Sequence, residues 1–113
     1  DPDFFRSAKV VTVRPKKAVR PGGTARIRVT VKNNGELALP AGKVCPKLSN
    51  RRARAFGCKA VGSLKPGKSA VRTLPVKVKK GKGFKPVKVS FQYRAGGSTY
   101  GSEGVRIRVS RKR

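Results

Sequence analysis

Apolar and cationic residues alternate along several stretches of this chain. Residues 26–32 read RIRVTVK and residues 105–109 read VRIRV, so that an apolar residue stands at every second position or nearly so. Side chains of a β-strand point alternately to its two faces, and this period of two therefore predicts strands with one apolar and one charged face. The apolar faces can build a core, while the opposite faces display an ordered array of cations.

Turn residues separate about seven such stretches, and no segment keeps a helical period for more than a turn. The Asn-Asn-Gly sequence at 33–35 predicts a hairpin or another turn after the second strand, and the glycines at 101 and 104 predict a β-bulge in the last one. Between the third and fourth strands, residues 49–57 are predicted to form the most basic loop. The predicted strands cover residues 9–14, 24–32, 43–48, 58–64, 69–79, 84–94 and 99–110.

The number and spacing of these strands predict an all-β fold. About seven short strands in roughly 100 residues are typical of a sandwich of two antiparallel sheets, and a small barrel is the rival fold. We assign residues 1–7 to a lead-in or linker, residues 8–110 to the sandwich and residues 111–113 to a basic tail.

Three short motifs identify a possible family. Residues 21–23 read PGG, residues 29–35 read VTVKNNG, and residues 61–69, which follow Cys58, read VGSLKPGKS. In this order they resemble the immunoglobulin-like surface repeats of bacteria, of the CARDB and conserved-repeat type, over roughly residues 10–109. The resemblance implies an immunoglobulin-like β-sandwich and a non-enzymatic extracellular module of adhesion, stalk or envelope proteins.

Cys45 and Cys58 are the two cysteines of the chain, which contains no histidine. A structural zinc site takes about four Cys or His ligands, so these residues cannot build one, and their spacing is not that of a C-x-x-C redox pair. A disulfide is the interpretation we adopt, with two buried thiols as the alternative. A disulfide would stabilise the fold by about 3 kcal/mol and would indicate an oxidising compartment.

The charge of the chain is strongly one-sided, with 30 Lys and Arg against 4 Asp and Glu and a formal net charge of +26. Such a chain repels itself and attracts polyanions. In the topology that the resemblance implies, strands 24–32 and 69–79 lie side by side, with Arg26, Arg28 and Lys32 next to Arg72, Lys77 and Lys79. Strands 84–94 and 99–110 also pair, with Lys88 and Arg94 next to Arg106 and Arg108. We expect these outward cations, together with those of the basic loop, to form an anion-binding surface. An alternative is a heavily solvated surface without a ligand. The candidate anion-binding residues are Arg26, Arg28, Lys32, Arg51, Arg52, Arg54, Arg72, Lys77, Lys79, Lys88, Arg94, Arg106 and Arg108.

The residues that acid–base catalysis requires are scarce. The four acids are Asp1, Asp3, Glu36 and Glu103, which are far apart in sequence, and a Ser or Cys nucleophile would have no imidazole base. The Pro-Gly-Lys-Ser sequence at 66–69 lacks the glycine spacing of a phosphate-binding loop. We therefore predict no enzymatic activity, no catalytic residue, no metal and no cofactor.

Together these features predict a secreted or cell-surface module with a structural or adhesive role. Its expected partner is an anionic polymer, such as a cell-wall or extracellular polysaccharide, and no apolar run is long enough for membrane insertion. One alternative is a nucleic-acid-associated protein, which would have reduced cysteines. Another is a subunit of a filament or lattice that assembles by strand exchange, so that homo-oligomers or assembly with other surface proteins stay open.

Overall fold

The computed structural model describes residues 7–48 and 51–111 of the chain. The regular secondary structure within those ranges consists of β-strands alone. No helix of the described segments could span a membrane. The predicted lead-in and basic tail fall almost entirely outside these ranges. The strands are β1 (Ala8–Val13), β2 (Thr24–Asn33), β3 (Gly42–Leu48), β4 (Ala53–Ala55), β5 (Lys59–Val61), β6 (Ser69–Val78), β7 (Val87–Ala95) and β8 (Ser98–Ile107).

The strands form two four-stranded antiparallel sheets. The first sheet has the order β1-β2-β6-β4 and the second sheet has the order β5-β3-β7-β8. Seven strands were expected and β4 is the additional one. The all-β, two-sheet sandwich is thereby confirmed.

The core lies between the sheets and follows the alternation of the sequence. On β2, Ile27, Val29 and Val31 are completely buried, while the residues between them are exposed or half-buried. Phe91 and Tyr93 on β7 are the largest of the fully buried side chains. Because burial of one such side chain contributes about 1.5–3 kcal/mol, these strands anchor the fold.

The Asn-Asn-Gly segment turns the chain as predicted, but it does not form a hairpin. The next strand, β3, belongs to the second sheet, so the chain crosses the sandwich here. The side-chain oxygen of Asn33 accepts a hydrogen bond of 2.9 Å from the amide of Gly35, which closes the turn. The buried Asn33 side chain therefore stabilises the turn at which the crossover begins.

The predicted basic loop at 49–57 contains an unexpected strand, β4. Within it, β4 pairs with the end of β6, with Ala53 opposite Val78 and Ala55 opposite Val76. Three residues with a single buried side chain, Ala53, carry too little alternation to be recognised. Residues 49–50 of this loop lie outside the described ranges.

One side of the sandwich is closed by a seam between β1 and β8. A Cβ atom added to Gly101 would lie 2.2 Å from the carbonyl oxygen of Ala8, so the two backbones are in close contact. Just past the end of β8, the amide of Val19 donates to the carbonyl of Arg108 at 2.8 Å, and Val19 forms a parallel bridge with Val109. The outer edges of β1 and β8 therefore cover each other.

The bulge predicted at the glycines of the last strand lies one residue earlier. Tyr93 pairs with Gly101 and Arg94 with Thr99, which leaves Tyr100 as the extra residue. The Tyr100 ring lies 6.2 Å from the Tyr93 ring, centroid to centroid. The half-buried Tyr100 side chain thus packs against the core.

Candidate anion-binding surface

The first outer face is the solvent side of the first sheet, and its centre carries three exposed cations of β2. Each of them stands opposite a neutral residue of β6, in the pairs Arg26–Pro75, Arg28–Thr73 and Lys32–Ser69. The strands β2 and β6 are neighbours as predicted, but their cations interleave and do not oppose each other. Between β2 and β6, these positions therefore carry no directly opposed like charges.

The prediction that Arg72 belongs to this outer row is wrong. Arg72 pairs with the buried Val29, and partners in a ladder project to the same face, so Arg72 lies on the core side of β6. Its Nε donates a hydrogen bond of 2.9 Å to the carbonyl of Ala60 in the second sheet. Arg72 is half-buried and links the two sheets, because its long side chain reaches the end of the sandwich.

The remaining cations of this region have different surroundings. Lys77 is exposed opposite Thr24, and Lys79 is exposed just past the end of β6. Arg52 is half-buried, and its guanidinium donates to the carbonyls of Lys85 and Pro86, each at 3.1 Å. Arg52 therefore anchors the loop that precedes β7.

Two neighbouring arginines of the same segment are exposed. The Arg54 guanidinium lies 5.6 Å from the centre of the Phe56 ring, in the geometry of a cation–π contact. Arg51 is exposed at the start of the segment. Both side chains are accessible to an anion, in contrast to Arg52.

Like charges nevertheless face each other at four places on the two sheets. All eight side chains are exposed, and Lys9 and Lys43 among them were not among the predicted site residues. Each of these lysines precedes a buried valine, Val10 or Val44, and this alternation could have identified them as outward residues. They were not selected because β2 and β6 contain longer alternating stretches. The pairs are Lys9–Lys32, Arg54–Lys77, Lys43–Arg94 and Lys88–Arg106.

The second outer face is the solvent side of the second sheet. Lys88 and Arg106 lie side by side on it, as predicted, and Arg94 stands between Lys43 and Thr99. Arg108 follows β8 and its guanidinium donates to the carbonyl of Lys16. Arg108 therefore belongs to a separate basic cleft of about 550 Å³, which is lined by Lys16, Lys17, Ala18, Arg20, Arg108 and Ser110.

A smaller depression lies in the middle of the second outer face. It has a volume of about 310 Å³, and all of its lining side chains are polar. We call it the polar cradle, and it is lined by Lys47, Lys88, Ser90, Gln92 and Ser102. Of these five residues, only Lys88 was among the predicted anion-binding residues. That prediction was based on charge, which does not identify neutral hydrogen-bonding side chains.

A disulfide joins Cys45 and Cys58, with a sulfur–sulfur distance of 2.07 Å, and confirms the predicted pairing. Cys45 lies on β3 opposite Gln92, so the disulfide sits on the second outer face beside the polar cradle. It ties β3 to the segment that leads into β5. Structural disulfides are typical of oxidising compartments outside the cytosol.

No protein-family model matches the chain, and no curated protein sequence does. Among solved structures, the CARDB domain of a Pyrococcus furiosus protein, in complex with di-metal ions, superimposes with a TM-score of 0.70. At 18% sequence identity, that match covers 94% of this chain and 90% of the other. The chain has the immunoglobulin-like fold of a CARDB domain.

Two further structures share this fold. The sporulation control protein Spo0M of Bacillus subtilis has a TM-score of 0.67 at 23% identity, over 94% of this chain and 50% of Spo0M. An Escherichia coli alpha-2-macroglobulin fragment has a TM-score of 0.69 at 16% identity, over 96% of this chain and 17% of the fragment. This chain thus corresponds to one domain within those two larger proteins.

The described part of this chain lacks the cluster of ligating side chains that a metal centre needs. Over residues 7–48 and 51–111, no group of three or more His, Cys, Asp or Glu side chains could hold a metal ion. The two acids in those ranges, Glu36 and Glu103, are both exposed. The two outer faces present cations, hydroxyls and amides, and the first outer face also exposes Val11, Val13 and Val71.

Proposed function

We propose that this chain is a non-catalytic structural or adhesive module that is secreted or held at the cell surface. Its two outer faces bind anionic polymers of the envelope or the extracellular matrix. The fold supports the structural part of this proposal, and the disulfide supports an oxidising compartment. Electrostatic attraction to a polyanion supplies the binding.

The single observation that carries the proposal is the set of like-charge pairs on the outer faces. Each pair of like charges directly opposite on a ladder costs about 0.2–1 kcal/mol. The fold keeps four of these exposed pairs, on both sheets, although one acidic substitution in each would remove the repulsion. A polyanion that lies across a pair cancels the repulsion and gains two contacts, with Arg binding acidic groups in bidentate fashion.

A charge-matched pair of variants tests this proposal. The first variant replaces one lysine of each pair with glutamine, at Lys32, Lys43, Lys77 and Lys88. The control replaces four exposed loop lysines, Lys65, Lys68, Lys82 and Lys85, and loses the same charge. We expect the first variant to lose several-fold more affinity for immobilised polygalacturonate and dextran sulfate than the control. Neither protein should be retained on neutral dextran.

Two outcomes would contradict the proposal. Wild-type protein that does not bind the acidic polymers would favour the solvated surface without a ligand. Equal losses in the two variants would mean that net charge alone, and not the paired positions, governs binding.

Single-stranded DNA and RNA belong in the same panel, because a net charge of +26 attracts nucleic acids too. We favour an extracellular polymer because the disulfide is unusual in nucleic-acid-binding proteins of the cytosol. We give less weight to strand exchange, because β1 and β8 cover each other and the other edge strands, β4 and β5, have three residues each.

A further inference from the structure

The polar cradle is a concave part of the second outer face with mixed chemistry. Whereas the cleft around Arg108 is lined mainly by cations, the cradle combines two lysines with two hydroxyls and one amide. Its volume of about 310 Å³ lies at the lower end of the range of ligand pockets. The cradle therefore has room for one small unit of a larger ligand.

The strand register produces the concavity. Ser90 on β7 stands between Lys47 on β3 and Gly104 on β8. Two residues further along β7, Gln92 pairs with Ser102. Ser90, Ser102 and Gly104 thus contribute little or no side chain here, and the longer Lys47 and Lys88 side chains lie beside them. A Cβ atom added to Gly104 would lie 3.8 Å from Cε of Lys88 and 3.9 Å from Oγ of Ser90. The glycine keeps open the space beside Ser90.

The chemistry of the lining selects among anionic polymers. Serine hydroxyls and the Gln92 amide can each donate and accept hydrogen bonds, whereas the lysine ammonium groups only donate. This combination is complementary to a unit that carries several hydroxyls and one acidic group. Nucleotides fit less well, because single-stranded nucleic acids are bound by stacking on aromatic side chains and none lines the cradle.

We propose that the polar cradle binds one acidic sugar unit of a polysaccharide. Lys47 and Lys88 contact its carboxylate or sulfate group, and Ser90, Gln92 and Ser102 bind its ring hydroxyls. This inference rests on the proposed binding of anionic polymers and adds a defined subsite to it. Arg106 beside Lys88 and Arg94 beside Lys43 lie on the same face, at opposite ends of β7, and contact the neighbouring acidic units.

Neutral substitutions separate this subsite from general charge attraction. The variant Ser90→Ala/Ser102→Ala removes both hydroxyls, and Gly104→Val fills the open space, while the net charge stays unchanged. The control, Thr30→Ala/Thr73→Ala, removes two hydroxyls from the first outer face. Thermal unfolding of each variant establishes that the fold is retained, and isothermal titration measures affinity for polygalacturonate, dextran sulfate, polyphosphate and poly(dT).

We expect both cradle variants to bind polygalacturonate or dextran sulfate about tenfold more weakly, as the loss of hydrogen bonds to a ligand predicts. The acidic polymer with the larger loss identifies carboxylate or sulfate as the preferred group. Polyphosphate binding, which uses the charges alone, should change less than about twofold, and the control variant should match wild type on every polymer.

Three results would overturn the subsite. Cradle variants that bind the polysaccharides like wild type, or that lose the same factor on polyphosphate, would mean that the hydroxyls are not used. A larger loss on poly(dT) than on the polysaccharides would assign the cradle to nucleic acid. In each of these cases the wild type still binds polyanions, whereas a wild type that binds none contradicts the proposed function itself.

Discussion

The side-chain amide of Asn33 donates a hydrogen bond of 2.8 Å to the main-chain carbonyl of Leu64. The same nitrogen donates to the carbonyl of Leu37 at 2.9 Å, and Asn33 is the one buried polar residue among those that the structure describes. Its backbone amide and carbonyl also bind Lys68 and Gly67, at 2.9 and 2.8 Å. Asn33 therefore joins three chain segments at one end of the sandwich.

Replacement of Asn33 with alanine should lower the free energy of unfolding by about 2–3 kcal/mol, because its buried side chain makes three hydrogen bonds, with Leu64, Leu37 and Gly35. The control is Asn34→Ala, since Asn34 is exposed and its neighbourhood in sequence is the same. The control should change stability by less than about 0.5 kcal/mol. Urea denaturation followed by circular dichroism measures both. Equal effects of the two substitutions would contradict the structural role of the Asn33 side chain.

The seam between β1 and β8 depends on the absence of a side chain at Gly101. Gly101→Ala should cost about 1–3 kcal/mol, because the new methyl group overlaps the backbone of Ala8, which cannot rotate away. Gly104→Ala is the control on the same strand, where the nearest atoms to the added Cβ lie 3.8 Å away or farther. Unfolding of both variants at the same denaturant concentration would contradict the close contact between Gly101 and Ala8.

Tyr93 gives the fold a dependence on alkaline pH. Its hydroxyl donates to the carbonyl of Pro40, and burial, with a smaller effect of Tyr100, raises the pKa of Tyr93 above 10.0. The folded protein thus holds this proton more tightly than the unfolded chain. The resulting stabilisation is present below the ordinary pKa of 10.0 and is lost as pH rises through the higher pKa of the folded state.

We therefore expect the wild type to lose its stability advantage over Tyr93→Phe as the pH rises above 10.0. At neutral pH the variant should be less stable by about 1 kcal/mol, the value of one hydrogen bond. Comparison of the two proteins cancels the contribution of every other titrating group. A stability difference that stays constant from pH 8 to about pH 11 would contradict the assignment.

The alternation of the sequence was sufficient to predict the sandwich and most of the strands. On β2 and β7 each buried residue alternates with a polar one, so the core face was evident. The crossover at Asn33 could not be predicted, because an Asn-Gly turn is equally compatible with a hairpin. The strand β4 was missed because it has three residues and one buried side chain.

The candidate site was less accessible to sequence reasoning than the fold. The outward positions of β2 were predicted correctly, yet the residues opposite them depend on register, which alternation does not give. Arg72 was misplaced because a charged residue was assumed to point outward, whereas its long side chain crosses to Ala60. The polar cradle was missed because its neutral members come from different strands.

The like-charge pairs predict opposite effects on stability and binding. Lys88→Glu places an acid opposite Arg106 and should raise the free energy of unfolding by about 0.5–1 kcal/mol. The same change should lower affinity for polygalacturonate more than any neutral substitution at this position. High salt should abolish the gain in stability, because exposed charges are screened.

The control for this prediction is Lys82→Glu, which makes the same charge change in an exposed turn. It should alter stability by less than about 0.5 kcal/mol. A gain as large as that of Lys88→Glu would mean that overall charge, and not the facing pair, limits the stability of the fold.

The central claim is that cations on the outer faces hold an anionic polymer, and the salt dependence of binding tests it most directly. The affinity of the wild type for polygalacturonate is measured between about 50 and 200 mM salt. We predict a linear decrease of log K with log salt and a loss of at least about a hundredfold, as four or more released counterions require. An affinity that does not change with ionic strength would contradict the account.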